Sequence, residues 1–222
     1  MKQIVKNQPP KSFVEFCNKP FAIYDGSGFP KAELRQSLLL EQGYICCYCM
    51  KRIPEHTSPC MKVEHYKCQK YFPDLVLTYN NLFGACTGNE GQPKIKQTCD
   101  TKKGNKDLTI NPLSTHLMCE SLLKYNADGE ISSITNNSEI NRQLNEILNL
   151  NMQTLKDGRS EIYLKVQERV RLESKRTIKN KESFIRFLAQ EKQKWLERTD
   201  NKLRPYCSVA VYYLTKKIKS NQ

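Results

Sequence analysis

Near the middle of the chain, the stretch MKVEHY sets a carboxylate, Glu64, beside an imidazole, His65. A carboxylate can ligate a divalent cation, and a neutral imidazole can take a proton from water. Cysteine-bearing stretches flank the pair: CCYC at 46–49, and GACTGNEGQPKIKQTCDTKKGN from Gly84 to Asn105. Cys46 and Cys49 form a CxxC knuckle, whose two thiolates reach one ion because the backbone between them turns tightly. A structural zinc needs two further ligands. Cys86 and Cys99 are the favoured pair, since closing a long loop through them ties together a region short of apolar core. His56 and Cys60 are the nearer alternative, and Cys47 could replace a neighbour. A thioredoxin-like redox role is disfavoured because no βαβ pattern surrounds the knuckle.

Three more features follow in order: Asn81 in NNLFGAC, Asp100 directly after Cys99, then Lys102, Lys103 and Lys106. Phosphodiester hydrolysis needs a base for water and a divalent cation to steady the phosphate and the leaving oxygen. Adjacent residues on a strand face opposite ways, so Glu64 and His65 can serve one site only if the strand ends there. Each residue alone has a plainer reading. A Glu-His dipeptide is usually surface, Asn81 or its neighbour Asn80 suits a turn, and CDTKKG could open a helix with Asp near its positive end. Lys102 and Lys103 are open between phosphate contact and solvated surface. The four features in order, bracketed by cysteines, point to hydrolysis.

The segments YICCYCMKRI, VEHYKCQ, YNNLFGAC, CDTKKGN and LTINPL resemble the HNH nucleases of the ββα-metal fold. More narrowly they are similar to the PtuB-like HNH subunits of Septu-type and retron-associated phage-defence systems. The match is densest over 44–112, and KAELRQSLLLEQG and the closing helices fit it as well. The resemblance implies that His65 is the general base and that Asn81 orients it by a hydrogen bond to the imidazole. It implies that Glu64 and Asp100 hold a catalytic magnesium or manganese ion, while Cys46, Cys49, Cys86 and Cys99 hold a structural zinc. Lys102, Lys103 and Lys106 would meet phosphates.

The partners implied are nucleic acid (DNA, or RNA such as tRNA), an ABC/SMC-like ATPase, and in some systems a retron reverse transcriptase with its DNA product, with partner proteins restraining the nuclease until infection. Three departures stand out: Cys68 replaces the subfamily's Pro, the second knuckle is stretched, and Asp100 replaces His or Asn. The competing class is a zinc-stapled adaptor that binds nucleic acid without cutting it.

The elements that must position these residues are legible in outline. The chain has 222 residues and a net charge of +13, a balance that favours polyanions. The surplus is concentrated late: from residue 151 onward there are 18 Lys+Arg against 8 Asp+Glu. With no apolar run of the roughly 18 residues a membrane helix needs, and no hydrophobic leader in MKQIVKNQPP, a soluble cytoplasmic protein is expected. Residues 1–43 read as an irregular segment closed by one helix, KAELRQSLLLEQG, stopped by Gly43. Residues 44–112 form the cysteine-rich module. Residues 113–222 begin with a hairpin, LLKYN and EISSI about Asp128-Gly129, and continue as basic amphipathic helices, the first capped by Ser138. The fold class is α+β, mainly α.

Overall fold

The computed structural model describes residues 1–56, 60–113, 118–177 and 180–221. Its longest elements follow the apolar spacing. Helix α5 (Gln153–Arg176) buries Leu155, Val166 and Val170; α6 (Lys181–Leu196) buries Leu188 and Trp195; α7 (Cys207–Lys219) buries Val209, Ala210 and Leu214. Helix α7 packs against both α5 and α6. Asn180 caps α6 by accepting from Ser183 N at 2.9 Å. None of the described helices is long and apolar enough to cross a membrane.

Toward the N-terminus, α2 (Lys31–Gln42) ends where expected, at Gly43 with φ 62°. The left-handed turn suits glycine, and a Cβ there would also come within 2.6 Å of Leu203 Cγ. The segment before it is not wholly irregular, because α1 spans Lys11–Cys17 and buries Phe13 and Phe16. Pro10 caps this helix instead of breaking it, a position where its missing N–H costs nothing.

The expected hairpin is present as β3 (Leu123–Tyr125) and β4 (Ile131–Ser133), antiparallel, with Leu123 opposite Ser133. Helix α4 (Ser138–Arg142) is capped by Asn137, one residue before the expected Ser138: its Oδ1 accepts from Ile140 N at 3.0 Å. The next turn widens, and Leu148 N reaches back five residues to Gln143 O at 2.9 Å.

The cysteine-rich module holds a second antiparallel pair, β1 (Lys62–His65) and β2 (Leu82–Ala85), in which Glu64 faces Phe83 and His65 faces Leu82. A short helix, α3 (Cys99–Lys103), follows. Gln42 at the end of α2 fastens β2 from outside, accepting from Gly84 N and donating to Gly84 O at 2.7 and 2.8 Å. Buried apolar residues form one cluster running from Leu38 through Tyr48 and Phe83 to Leu148 and Val209, so the cysteine-rich module shares its core with the helices around it.

Candidate active site and metal centre

The knuckle is built on a small bridge between Ile45 and Arg52. Cys46 N donates to Lys51 O and Met50 N to Cys46 O, both at 3.0 Å, with Met50 in the left-handed region at φ 63°. The turn also brings Lys51 N to 3.4 Å from Cys49 Sγ, a donor that steadies a thiolate. The stretched second half closes through backbone. Gly88, at φ +56°, accepts from Thr98 N at 2.9 Å, and a Cβ on Gly88 would lie 2.2 Å from Thr98 O, so only glycine fits. Asn149 Nδ2 then holds the loop's Ile95 and Gln97 carbonyls at 2.9 Å each.

The result brings the Sγ atoms of Cys46, Cys49, Cys86 and Cys99 within 4.8 Å of one another, a group that could hold a metal ion. Cys49 and Cys86 are 3.8 Å apart. That equals the edge, about 3.8 Å, of a tetrahedron with zinc–sulfur bonds of about 2.3 Å. Among the described residues neither His56 nor Cys60 joins the group: Cys60 Sγ lies 3.8 Å from Glu55. Cys47 also stays outside it, with its amide bonded to Gly84 O. Burial pushes the Cys46 thiol up, but donation from Cys47, Cys49, Cys86 and Cys99 outweighs it and holds Cys46 well below the usual thiol range. A thiolate among buried thiols is the donor set a soft cation takes up.

Strand β1 ends at His65, and Glu64 and His65 are both paired in its ladder, opposite Phe83 and Leu82. The ring's Nε2 lies 3.1 Å from Val76 O, and a carbonyl can only accept, so Nε2 carries the proton and Nδ1 keeps its lone pair. Tyr24 packs edge-on against the ring at 4.6 Å. Burial lowers the imidazole's pKa, with Lys103 acting the same way and Val76 and Asp100 opposing; the outcome is below the usual histidine value. His65 is therefore neutral near pH 7, in the form that accepts a proton.

The expected Asn81–imidazole bond is not the one formed. Asn81 spends its amide on the loop between the strands, accepting from Lys67 N at 2.7 Å and donating to Lys67 O and Leu75 O at 3.0 and 3.1 Å. It bears on the imidazole at one remove, by holding Leu75, the residue next to Val76.

Glu64 is buried beside His65, and two donors converge on its Oε1: Tyr48 Oη at 2.6 Å and Lys103 Nζ at 2.7 Å. Burial and the Glu64 carboxylate keep the Tyr48 phenol protonated, hence a donor. Burial first, and the neighbouring Asp100 carboxylate second, push the Glu64 carboxyl well above its usual range against the pull of Lys103. Asp100 thus lies against Glu64. It is partly exposed and also meets Lys62 Nζ at 3.5 Å. These two carboxylates, with Oε1 of Glu64 committed to its donors, could share a cation that prefers oxygen ligands.

The three lysines diverge. Lys103 is not a phosphate-facing residue: one helical turn from Asp100, it points inward, paired with Glu64 and donating to His65 O at 3.0 Å. Lys102 donates to Lys94 O at 2.8 Å, tying α3 to the cysteine loop. Lys106 is exposed and lines a shallow hollow with Lys67 and Arg142. Sequence reasoning missed Tyr48, Val76 and Lys62. Only Tyr48 carried a signal, an aromatic phenol inside the knuckle.

No family model matches the chain. A Vibrio cholerae protein (serotype O1 biovar El Tor) named "Retron Vc95 putative HNH endonuclease" is 32% identical over 115 residues, covering 50% of this chain and 52% of that protein. The chain thus spans about half the length of the curated relative it matches.

Proposed function

We propose that the chain is a metal-dependent HNH endonuclease that hydrolyses phosphodiester bonds of nucleic acid. The observation that carries this is Asp100 lying against Glu64, with His65 the next residue at the end of β1 and Asp100 the next residue after Cys99 of a four-cysteine cluster suited to zinc. His65 Nδ1 takes the proton of the attacking water, its tautomer fixed by the Val76 carbonyl. Glu64 and Asp100 would hold the magnesium or manganese ion, which supplies positive charge against the scissile phosphate and leaving oxygen. The strands followed by a short helix, the net charge of +13, and the likeness to a protein named as an HNH endonuclease support the same reading.

The finer proposal is an effector of bacterial anti-phage defence that works with an ABC/SMC-like ATPase, and with a retron reverse transcriptase and its DNA product where these are present. Its support is the retron in the relative's name. The substrate class is DNA, or RNA such as tRNA. One observation favours the adaptor reading instead: Lys103 Nζ pairs at 2.7 Å with Glu64, the carboxylate that would hold the ion.

Purified protein with its partner and magnesium or manganese, offered DNA and RNA, separates the two. The His65→Ala variant should cut about 10²–10⁴-fold more slowly while keeping zinc and nucleic-acid affinity. Equal cutting by that variant would remove His65 as the base, and no cutting by either would favour the adaptor.

A further inference from the structure

The residues that hold the cysteine cluster and those that would hold the catalytic ion are adjacent in two places. Asp100 directly follows Cys99 at the start of α3. Tyr48 sits inside the knuckle, between Cys46 and Cys49, fully buried, and its hydroxyl donates to Glu64 Oε1 at 2.6 Å. The knuckle is held by its own backbone bonds and by its sulfurs, so Tyr48 has little freedom to follow Glu64 if that side chain turns. Lys103 takes the same oxygen at 2.7 Å from the far end of α3. Two donors on one carboxylate oxygen fix the rotation of the group and leave Oε2 as the atom that can meet a cation shared with Asp100.

We propose that Tyr48 is a positioning residue for the divalent-ion site: carried by the cysteine knuckle, it locks Glu64 so that one carboxylate oxygen is presented to the ion. This rests on the nuclease reading. It adds that the zinc staple orients the hydrolytic site directly, through one hydrogen bond, and is more than a substitute for apolar core. The staple sets Glu64 through Tyr48 and Asp100 through the peptide bond after Cys99. Lys103 alone does not suffice for this, because its ammonium sits on a long, rotatable stem, whereas a tyrosine ring has two torsions and is packed on all sides.

The test is a titration of the full-length protein with manganese, followed by the electron paramagnetic resonance signal of the free ion, which needs no cleavage. Tyr48→Phe removes one hydroxyl and keeps the ring. Losing a hydrogen bond to a charged group should weaken manganese binding about tenfold. Zinc content should stay as in the wild type, and in a Glu64→Gln background the same change should add nothing. Coincident manganese curves for Tyr48→Phe and wild type would overturn the role of Tyr48 and leave the nuclease reading standing. Absence of any manganese site in the wild type would overturn both. Should Tyr48→Phe lose zinc, 3-fluorotyrosine at position 48 keeps ring and hydroxyl while sharpening the donor; a shifted manganese curve supports the proposal and an unmoved one refutes it.

Discussion

Lys103 Nζ lies 2.7 Å from Glu64 Oε1, and both side chains are only 1% exposed. An ion pair so enclosed is costly to break from one side, because the remaining charge stays buried and alone. Lys103→Met should therefore destabilise the fold by about 3–5 kcal/mol in denaturant unfolding. Combining it with Glu64→Gln should recover part of that loss, since the orphaned charge is gone. A cost within about 0.5 kcal/mol, as for a solvated surface lysine, would show the pair to be unimportant.

The pH dependence of cleavage should differ with metal supply. His65 titrates below the usual histidine value of about 6.5, so at saturating manganese activity should persist to below that pH and then fall as the imidazole protonates. Glu64 is shifted the other way, and its carboxyl must lose a proton before it binds a cation. At limiting manganese the acid limb should therefore move to higher pH. Superimposable profiles at the two metal levels would contradict the assignment of Glu64 as a ligand.

Removing the cluster's metal should unfold the module around it. Structural zinc held by thiolates contributes about 10–16 kcal/mol in small zinc-folded peptides, and the strands here are only four residues each. Cys49→Ser or prolonged chelation should release zinc and lower the thermal midpoint sharply. Cys47→Ser, outside the group of four, should keep its zinc. A midpoint unmoved by chelation would mean the cluster does not support the fold.

Asn81 should matter for rate more than for metal. Asn81→Ala leaves the Lys67 amide and the Lys67 and Leu75 carbonyls without their partner, at a cost of about 0.5–1.5 kcal/mol for each of these partly buried bonds. The loop that carries Val76 then loosens, and with it the anchor of the imidazole. The turnover rate should fall while manganese affinity stays near wild type. A parallel loss of manganese binding would place Asn81 in the metal site itself.

Much of this site was legible because its signals are local. The cysteine spacing, the Glu-His pair and the acid after Cys99 announce themselves in a few residues each. Gly43 and the Asp128-Gly129 turn mark their elements through backbone demands that one residue type meets best. What stayed hidden depends on tertiary contact. Val76 works through a carbonyl, which every residue has, so no side chain could flag it. Lys103 looked like a surface lysine because its one-turn spacing from Asp100 says which face it shares, while only the buried Glu64 says that this face points inward. Helix α1 was missed because a Pro-Pro pair, Pro9 and Pro10, directly precedes it, and only the structure shows the second of them capping it.

The most direct measurement of the central claim is anomalous X-ray diffraction from crystals of the protein soaked in manganese, with data at the zinc and manganese edges. The account predicts two separate ions: zinc among Cys46, Cys49, Cys86 and Cys99, and manganese between the Glu64 and Asp100 carboxylates on the side reached by His65 Nδ1. A map with metal only at the cysteines, and with the Glu64–Lys103 pair still closed, would contradict it.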